Sequence, residues 1–268
     1  MRPDIFEVLN HARSKKIKVS LVTNGYLTTA FMQELKKLHL HAVSVSIDGL
    51  KERHDRNRGK TGSYEKCLEA LQIYRKMGVN VVQACTIVLK NNIGDIPGLV
   101  KDVFANGCTR YRLQLLIPEG RAKKVKTPDA VVEKALRIIL NARRQGFRVF
   151  AADTFGYMGE SEKQLRGYDF FCGCGWWTFT IMHNGNIMGC PVIDLPGYSE
   201  GNIRKTDIAD IWQDNFERFR KGFIEDLPAD CKQCSYVNIC RGGCWAQRVN
   251  KGKFCYLKAA KRVLKQAR

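Results

Sequence analysis

The feature that most constrains this chain is a group of closely spaced cysteines near its C-terminal end. The stretch CKQCSYVNICRGGC, residues 231–244, holds four cysteines within fourteen positions. The 268 residues contain eleven cysteines, and eight of them follow residue 170. A disulfide, a zinc ion, an iron–sulfur cluster or a catalytic thiol could each explain one such cysteine, but a metal site explains the whole set best.

The spacing is compatible with two kinds of metal site. A two-residue gap, as between Cys231 and Cys234, lets two sulfurs reach one site from a tight turn, and both structural zinc ions and iron–sulfur clusters use it. The two glycines of RGGC allow the backbone to approach a cluster closely. On spacing alone, a zinc site and an iron–sulfur cluster explain these cysteines about equally well. Against zinc, the five cysteines from 231 to 255 are one more than a tetrahedral ion binds, and three more lie upstream.

The composition predicts a soluble cytoplasmic protein with a large core. The chain is 44% hydrophobic, has no apolar run long enough to cross a membrane, and does not begin with a signal peptide. Cytoplasmic thiols stay reduced, which disfavours disulfides, and Cys67, Cys85 and Cys108 are interpreted as buried small side chains. The formal net charge of +19 would suit nucleic acid, an acidic peptide or an anionic membrane. Because the basic residues are scattered, a solvated surface is preferred, and neither nucleic acid nor a membrane is expected as a partner.

Helix and strand patterns alternate over the first 150 residues. The predicted strands are IKVSLVTNG, HAVSVSIDG, VNVVQACTIVLK and TRYRLQLLIP, and the predicted helices span residues 4–15, 28–39, 63–78, 96–107 and 128–146. This alternation predicts right-handed βαβ units and a parallel sheet, an α/β fold, over residues 1–150. Beyond this point glycines, aromatic residues and cysteines crowd together. Residues 151–268 are therefore predicted to form a second domain, with one short helix at 206–221.

The cysteines of the second domain resemble a specific module. Cys172, then Gly185-x4-Cys190, then Cys-x2-Cys-x5-Cys-x3-Cys, then Cys255 resembles the seven-cysteine signature of the SPASM domain. That domain is the auxiliary-cluster module of radical S-adenosylmethionine (SAM) enzymes. The segments NGNIMGC, EGNIR and IADIW are also similar to that family. The resemblance favours iron–sulfur over zinc and implies two [4Fe–4S] clusters.

The resemblance also implies which cysteines share a cluster, because the ligands interleave in family members with two auxiliary clusters. The distal cluster would be held by Cys231, Cys234, Cys240 and Cys255. The proximal cluster would be held by Cys172, Cys190 and Cys244, and its fourth position varies between members. Cys174 is either that fourth ligand or a thiol beside an open iron, and the open iron is the preferred interpretation.

The first domain resembles the radical SAM domain, a partial (β/α)6 barrel. VSLVTNG, VSVSIDG, HDRNRG and LLIPEGRA are similar to strands and loops of that family. The resemblance implies that Ser46 and Arg58 bind the methionine moiety of SAM, since an arginine can form a bidentate contact with a carboxylate. Asn24 and Asp48 close two strands and would line the SAM face. Without the resemblance, these four residues would be interpreted as strand-end, loop and turn residues.

The sequence departs from that family in one respect. A radical SAM enzyme has a Cys-x3-Cys-x2-Cys loop whose cluster cleaves SAM and a Gly-Gly-Glu-Pro motif that binds the SAM amino group, and neither occurs in these 268 residues. The expectation is an incomplete barrel that lacks its first strands. It would be a fragment of a longer enzyme or a truncated protein, and its SAM site would be weak or incomplete.

The function that the resemblance implies is maturation of a ribosomally made peptide or protein by 5′-deoxyadenosyl-radical hydrogen abstraction. The expected partners are that substrate and an electron donor such as a flavodoxin or ferredoxin. Pro191 follows Cys190 where sulfatase-maturing members have Asp, which argues against sulfatase maturation. Two alternatives stay open. One is a non-catalytic iron–sulfur electron-transfer or scaffold protein, and the other is a zinc-ribbon nucleic-acid binder favoured only by charge and tryptophans.

Overall fold

The computed structural model describes residues 2–193, 195–221 and 227–267 and divides the chain into two compact units. The first unit comprises Met1–Gln114 and Ala130–Ala151, and the second comprises Leu115–Asp129 and Ala152–Arg268. Within the described residues, no helix is both long enough and apolar enough to cross a bilayer.

The first unit is an α/β fold whose helices connect the strands of one sheet. The strands follow the chain order across the sheet: β1 Ser20–Thr23, β2 Ala42–Ser46, β3 Val81–Val88, β4 Arg110–Leu115 and β5 Val149–Ala151. The helices are α1 Ile5–Ser14, α2 Met32–Lys37, α3 Lys51–Arg58, α4 Ser63–Lys76, α5 Ile96–Ala105 and α6 Asp129–Arg144. β1 pairs in parallel with β2, β2 with β3, and β4 with β5. Parallel neighbours need crossover connections, so the predicted α/β class with a parallel sheet is confirmed.

The two faces of this sheet differ in polarity because side chains alternate along each strand. Val43 and Val45 of β2 are fully buried on one face. On the other face the parallel register places Ser44 beside Gln83, whose Nε2 donates to Ser44 Oγ at 2.9 Å. Ser46 lies two residues further along β2 on this polar face. The face of the sheet that carries Ser44, Ser46 and Gln83 is therefore the one on which a polar ligand could bind.

The second unit is built from short elements. Its helices are α7 Glu162–Leu165, α8 Ile208–Asp214, α9 Glu217–Arg220, α10 Ala229–Lys232, α11 Val237–Cys240, α12 Trp245–Val249 and α13 Leu257–Ala267. Strands β6 Thr180–Ile181, β7 Asn186–Met188 and β8 Ser199–Asn202 form a small antiparallel sheet. Phe216, Phe219 and Trp245 belong to its core, which also includes Cys244. Packing against that core are Cys172, Cys174, Cys190 and Cys231.

A buried ion pair lies in the second unit. Glu162 and Arg166 pair with exposed side-chain fractions of 1% and 0%. The Arg166 guanidinium also donates to the carbonyl oxygens of Ala152 and Gly156, at 3.0 and 3.1 Å. Glu162 Oε1 accepts the N–H of Met158 at 2.6 Å. The segment from 152 to 166 therefore folds around this charged pair.

Several elements differ from the sequence predictions, among them the short helices and the antiparallel sheet of the second unit, of which only one helix was predicted. Helix α3 and strand β5 were not predicted, because all eight residues of α3 are polar and β5 has only three residues, so neither gives a hydrophobic period. The single helix predicted at 206–221 is two helices, α8 and α9. Between them Phe216 has a left-handed φ of 68° while its ring is fully buried. Burial of this ring in the core outweighs helix continuity.

Candidate metal centres and SAM site

The carboxyl ends of β1 and β2 meet at the thiol of Cys67. This cysteine lies on α4 and is fully buried, and its Sγ is 3.2 Å from the Asn24 carbonyl oxygen and 3.5 Å from that of Ser46. Burial raises the pKa of the thiol to about 12, so it stays protonated and donates to these carbonyls. Cys67 thus ties together two strand ends that carry predicted SAM-site residues.

Asp48 and Arg58 form an ion pair beside the same strand ends. Arg58 Nη2 lies 2.6 Å from Asp48 Oδ2, with exposed side-chain fractions of 33% and 17%. Asp48 Oδ1 also accepts the N–H of Ile87 from β3 at 3.3 Å. The pair holds the guanidinium at the ends of β2 and β3, where a ligand carboxylate would share it with Asp48.

Helix α3 holds Arg58 in place through polar contacts. The Asp55 carboxylate accepts the N–H groups of Gly62 and Tyr64, at 2.7 and 2.8 Å, and so caps the start of α4. The backbone N–H of Asp48 donates to His54 Nδ1 at 3.0 Å. Burial and the nearby Arg58 charge lower the pKa of His54, which keeps its ring neutral and able to accept this hydrogen bond.

Of the four predicted SAM-site residues, Asn24, Ser46 and Asp48 lie at the ends of β1 and β2, and Arg58 reaches Asp48 from the end of α3. Asn24 Oδ1 accepts the N–H of Tyr26 at 3.1 Å, the contact of a turn residue. Two further residues, His54 and Cys67, contact this site and were not assigned to it from the sequence. The segment HDRNRG contained His54, whereas nothing in the sequence linked Cys67 to the strand ends.

Four cysteines of the second unit form one group around Cys174. The Cys174 side chain neighbours those of Cys172 and Cys190, and all three pack against the same core. Cys244 is 7% exposed and belongs to the core against which Cys172 and Cys190 pack. The first cysteine group is defined as Cys172, Cys174, Cys190 and Cys244.

The thiols of the first cysteine group differ in pKa because of their mutual contacts and their burial. The contact with Cys174 lowers the pKa of Cys172 to about 7 and also lowers that of Cys190. The same two contacts raise the pKa of Cys174. Burial raises the pKa of Cys244 to about 12. Because only thiolates bind metal, loading this group requires the release of protons.

The remaining four cysteines of the second unit line a separate pocket. The second cysteine group is defined as Cys231, Cys234, Cys240 and Cys255, which share their pocket with Tyr157, Tyr236 and Phe254. Burial raises the pKa of Cys240 to about 11, and it also raises that of Cys231. Although Cys244 lies between Cys240 and Cys255 in the sequence, it sits with the first group.

Both groups offer the ligands that an iron–sulfur cluster requires. In the part of the chain that the structure describes, no three His, Cys, Asp or Glu side chains converge on the position of one metal ion. Each group instead presents four thiols against apolar or aromatic neighbours. At Gly243, which has a φ of 68°, a Cβ would lie 2.7 Å from the Phe254 carbonyl oxygen, so the backbone passes closely beside the second group. These donor sets fit [4Fe–4S] clusters.

Family models match both parts of the chain. The radical SAM superfamily model matches residues 1–103, and the SPASM iron–sulfur cluster-binding domain model matches residues 172–235. Together the two matches cover more than half of the sequence. The chain contains a radical SAM domain and a SPASM domain. These two domains imply [4Fe–4S] clusters and SAM as its cofactors.

Relatives of this radical SAM/SPASM protein include a heme synthase and a mycofactocin maturase. The AdoMet-dependent heme synthase of Methanosarcina barkeri is 28% identical over 90% of this chain and 73% of that protein. The mycofactocin maturase MftC of Mycobacterium tuberculosis is 27% identical over 94% of this chain and 65% of the maturase.

Solved structures share the fold of this radical SAM/SPASM protein. The enzyme anSMEcpe with bound AdoMet and Cp18Cys peptide superposes with a TM-score of 0.72 at 20% identity, over 98% of this chain and 79% of that one. Streptococcus suis SuiB bound to precursor peptide SuiA gives a TM-score of 0.69 at 17% identity, over 92% of this chain and 59% of SuiB. At these identities the likeness establishes the fold.

Proposed function

We propose that this radical SAM/SPASM chain takes part in the maturation of a ribosomally made peptide or protein by 5′-deoxyadenosyl-radical hydrogen abstraction. The observation that carries the proposal is the pair of four-cysteine groups in the second unit, because two thiolate sets are what a two-cluster auxiliary module needs. A maturase among the sequence relatives and a peptide-bound enzyme with the same fold support it.

Bound SAM supplies the radical, and residues of the first unit would hold its methionine moiety. Arg58 would share its guanidinium between Asp48, now 2.6 Å away, and the methionine carboxylate. Ser46 would offer its hydroxyl from the end of β2. The Cys-x3-Cys-x2-Cys loop that reduces SAM is not among these 268 residues, so catalysis is proposed for a polypeptide that contains such a loop.

An acidic electron-transfer protein, such as a flavodoxin or ferredoxin, would dock beside the second cysteine group. The large pocket next to Cys231, Cys234 and Cys255 has the basic lining residues Lys253, Lys258, Lys261 and Arg262. Lys253 is paired with Asp129 at 2.6 Å, while Lys258 and Lys261 are exposed. Complementary charge raises association rates. The double variant Lys258→Glu/Lys261→Glu should slow cluster reduction by flavodoxin several-fold but leave reduction by dithionite unchanged.

A second candidate substrate is an iron porphyrin, because heme synthases and an Fe-coproporphyrin III synthase are among the relatives. One observation is compatible with either substrate. Gln114 of β4 contacts Cys85 at 3.8 Å on the sheet face of Ser46, and Arg112 lies two residues before it on that face. Arg112 Nε is buried without a hydrogen-bond partner among the described residues. A guanidinium binds carboxylates, which porphyrin propionates and acidic peptides both carry.

Binding measurements on the anaerobically reconstituted chain separate these substrates. The proposal expects fluorescence-detected binding of a precursor peptide encoded beside the gene, and no spectral change in added Fe-coproporphyrin III. Porphyrin binding that is lost in Arg112→Leu, with no peptide binding, would replace the peptide proposal. Bound zinc without iron or sulfide would instead establish the zinc-ribbon alternative. Loaded clusters with no SAM or substrate binding would establish the scaffold alternative.

A further inference from the structure

The loop that carries Cys174 is built as a fixed turn. The carbonyl oxygen of Gly173 accepts the N–H groups of Trp176, Trp177 and Thr178, at 3.0, 3.1 and 3.1 Å. The N–H of Gly175 donates back to the carbonyl oxygen of Thr178 at 2.9 Å. Four backbone hydrogen bonds within six residues leave the position of Cys174 little freedom.

Close packing on both sides requires the glycines that flank Cys174. A Cβ at Gly173 would clash with Trp177 Nε1, and one at Gly175 would lie 2.7 Å from Phe219 Cβ. Gly175 also has a φ of 69°, which residues with a side chain rarely adopt. The sequence Cys-Gly-Cys-Gly is therefore needed to bring the Cys174 backbone against the aromatic core.

Aromatic side chains hold this turn from outside. Trp176 Nε1 donates to the carbonyl oxygen of Phe219 at 3.0 Å. Phe171 packs against Trp177 with ring centroids 4.5 Å apart, and the Arg241 guanidinium lies 4.4 Å from the centre of the Trp176 ring. The turn thus keeps its shape through contacts that do not involve the thiol itself.

The turn directs the Cys174 thiol between two expected ligands. Its side chain packs, together with those of Cys172 and Cys190, against the core that contains Cys244, although these two neighbours are two and sixteen positions away in the sequence. Cys244 completes the group from the start of α12. A thiol that does not bind the cluster would have no reason to lie beside two of its ligands at once.

We propose that Cys174 is the fourth thiolate ligand of the proximal cluster. This inference rests on the proposed function, in which the first cysteine group holds a [4Fe–4S] cluster. With four thiolates every iron has a protein ligand, so the proximal cluster has no open iron to bind a substrate atom. Its role is then to carry electrons. The sequence favoured an open iron in the proximal cluster, whereas the structure favours a fourth thiolate ligand.

Cyanide, a small ligand for an open iron, tests the inference in the reconstituted 268-residue chain. Wild-type protein should bind about eight irons, and its reduced EPR spectrum should not change with cyanide. Cys174→Ala should give a cyanide-dependent shift in one of the two cluster signals, or lose about one iron as a [3Fe–4S] form. Cys174→Ser serves as the conservative variant, and a partly retained ligand should reduce the shift.

Two variants serve as controls. Cys172→Ala should respond to cyanide as Cys174→Ala does, because both remove one ligand of the same cluster. Cys108→Ala, at a buried cysteine of the first unit, should behave as wild type. A cyanide shift in wild type that Cys174→Ala leaves unchanged would overturn the inference alone. Wild-type protein that binds no second cluster would overturn both the inference and the proposed function.

Discussion

Removal of Arg166 should destabilise the second unit strongly. Arg166 and Glu162 are four residues apart, and their side chains are almost fully buried. Arg166→Leu leaves the Glu162 carboxylate without its counter-charge and removes the hydrogen bonds to the carbonyl oxygens of Ala152 and Gly156. Breaking a buried ion pair from one side costs about 3–5 kcal/mol, whereas exposed pairs contribute little.

The loss of stability should grow with pH. Burial raises the pKa of Glu162 above its ordinary value of 4.5 even with Arg166 present. A carboxyl group with a raised pKa in the folded state contributes stability that is complete below the unfolded pKa and is lost as pH rises through the folded pKa. Arg166→Leu removes the positive charge that lowers the pKa of Glu162, so this pKa rises further. The loss of stability relative to wild type therefore keeps growing up to a higher pH. The difference from wild type should be larger at about pH 8 than at about pH 6.

Tryptophan fluorescence provides the assay, because all four tryptophans lie between residues 176 and 245 of the second unit. At one scan rate, the unfolding midpoint of Arg166→Leu should fall by about 6–20 °C, since a chain of this size loses about 2–4 °C per kcal/mol. The control Lys221→Ala breaks the exposed pair with Glu217 at the same spacing and should leave the midpoint unchanged. Adding Glu162→Gln to Arg166→Leu should restore part of the loss. Equal midpoints for Arg166→Leu and Lys221→Ala would refute the reasoning.

Three further predictions concern the clusters, SAM and the sheet edge. Cys244→Ala and Cys172→Ala should remove or alter the same EPR signal, and a shared effect of Cys244→Ala with Cys234→Ala would contradict the division into two groups. The chain with SAM and dithionite should give no 5′-deoxyadenosine, because it contains no Cys-x3-Cys-x2-Cys loop; stoichiometric product by chromatography would disprove this. β1 is an edge strand on which Val22 is 77% exposed. Val22→Lys should therefore reduce self-association measured by light scattering. Equal self-association of the variant and wild type would contradict association through this edge.

Local patterns were sufficient to predict most elements of the first unit. The periodic apolar residues of α4 and α6 and the β-branched runs of β2 and β3 each identify an element, because they depend on neighbours three, four or two positions away. Helix α3 has no such pattern. It is held by polar contacts such as those of Asp55 with α4, and these partners become neighbours only after folding.

The sequence by itself determined the chemistry of the second unit, because seven of its eight cysteines have the spacing of a known iron–sulfur module. The resemblance implied a division of seven cysteines between two clusters, but only the tertiary structure shows where the Cys174 side chain lies. Cys174 lies between Cys172 and Cys190 because a turn and its flanking glycines direct it there, and Cys67 reaches two strand ends from a helix that follows both strands. Spacing along a chain specifies which ligands are available, whereas the distance between two sulfurs depends on backbone hydrogen bonds and packing between segments remote in sequence.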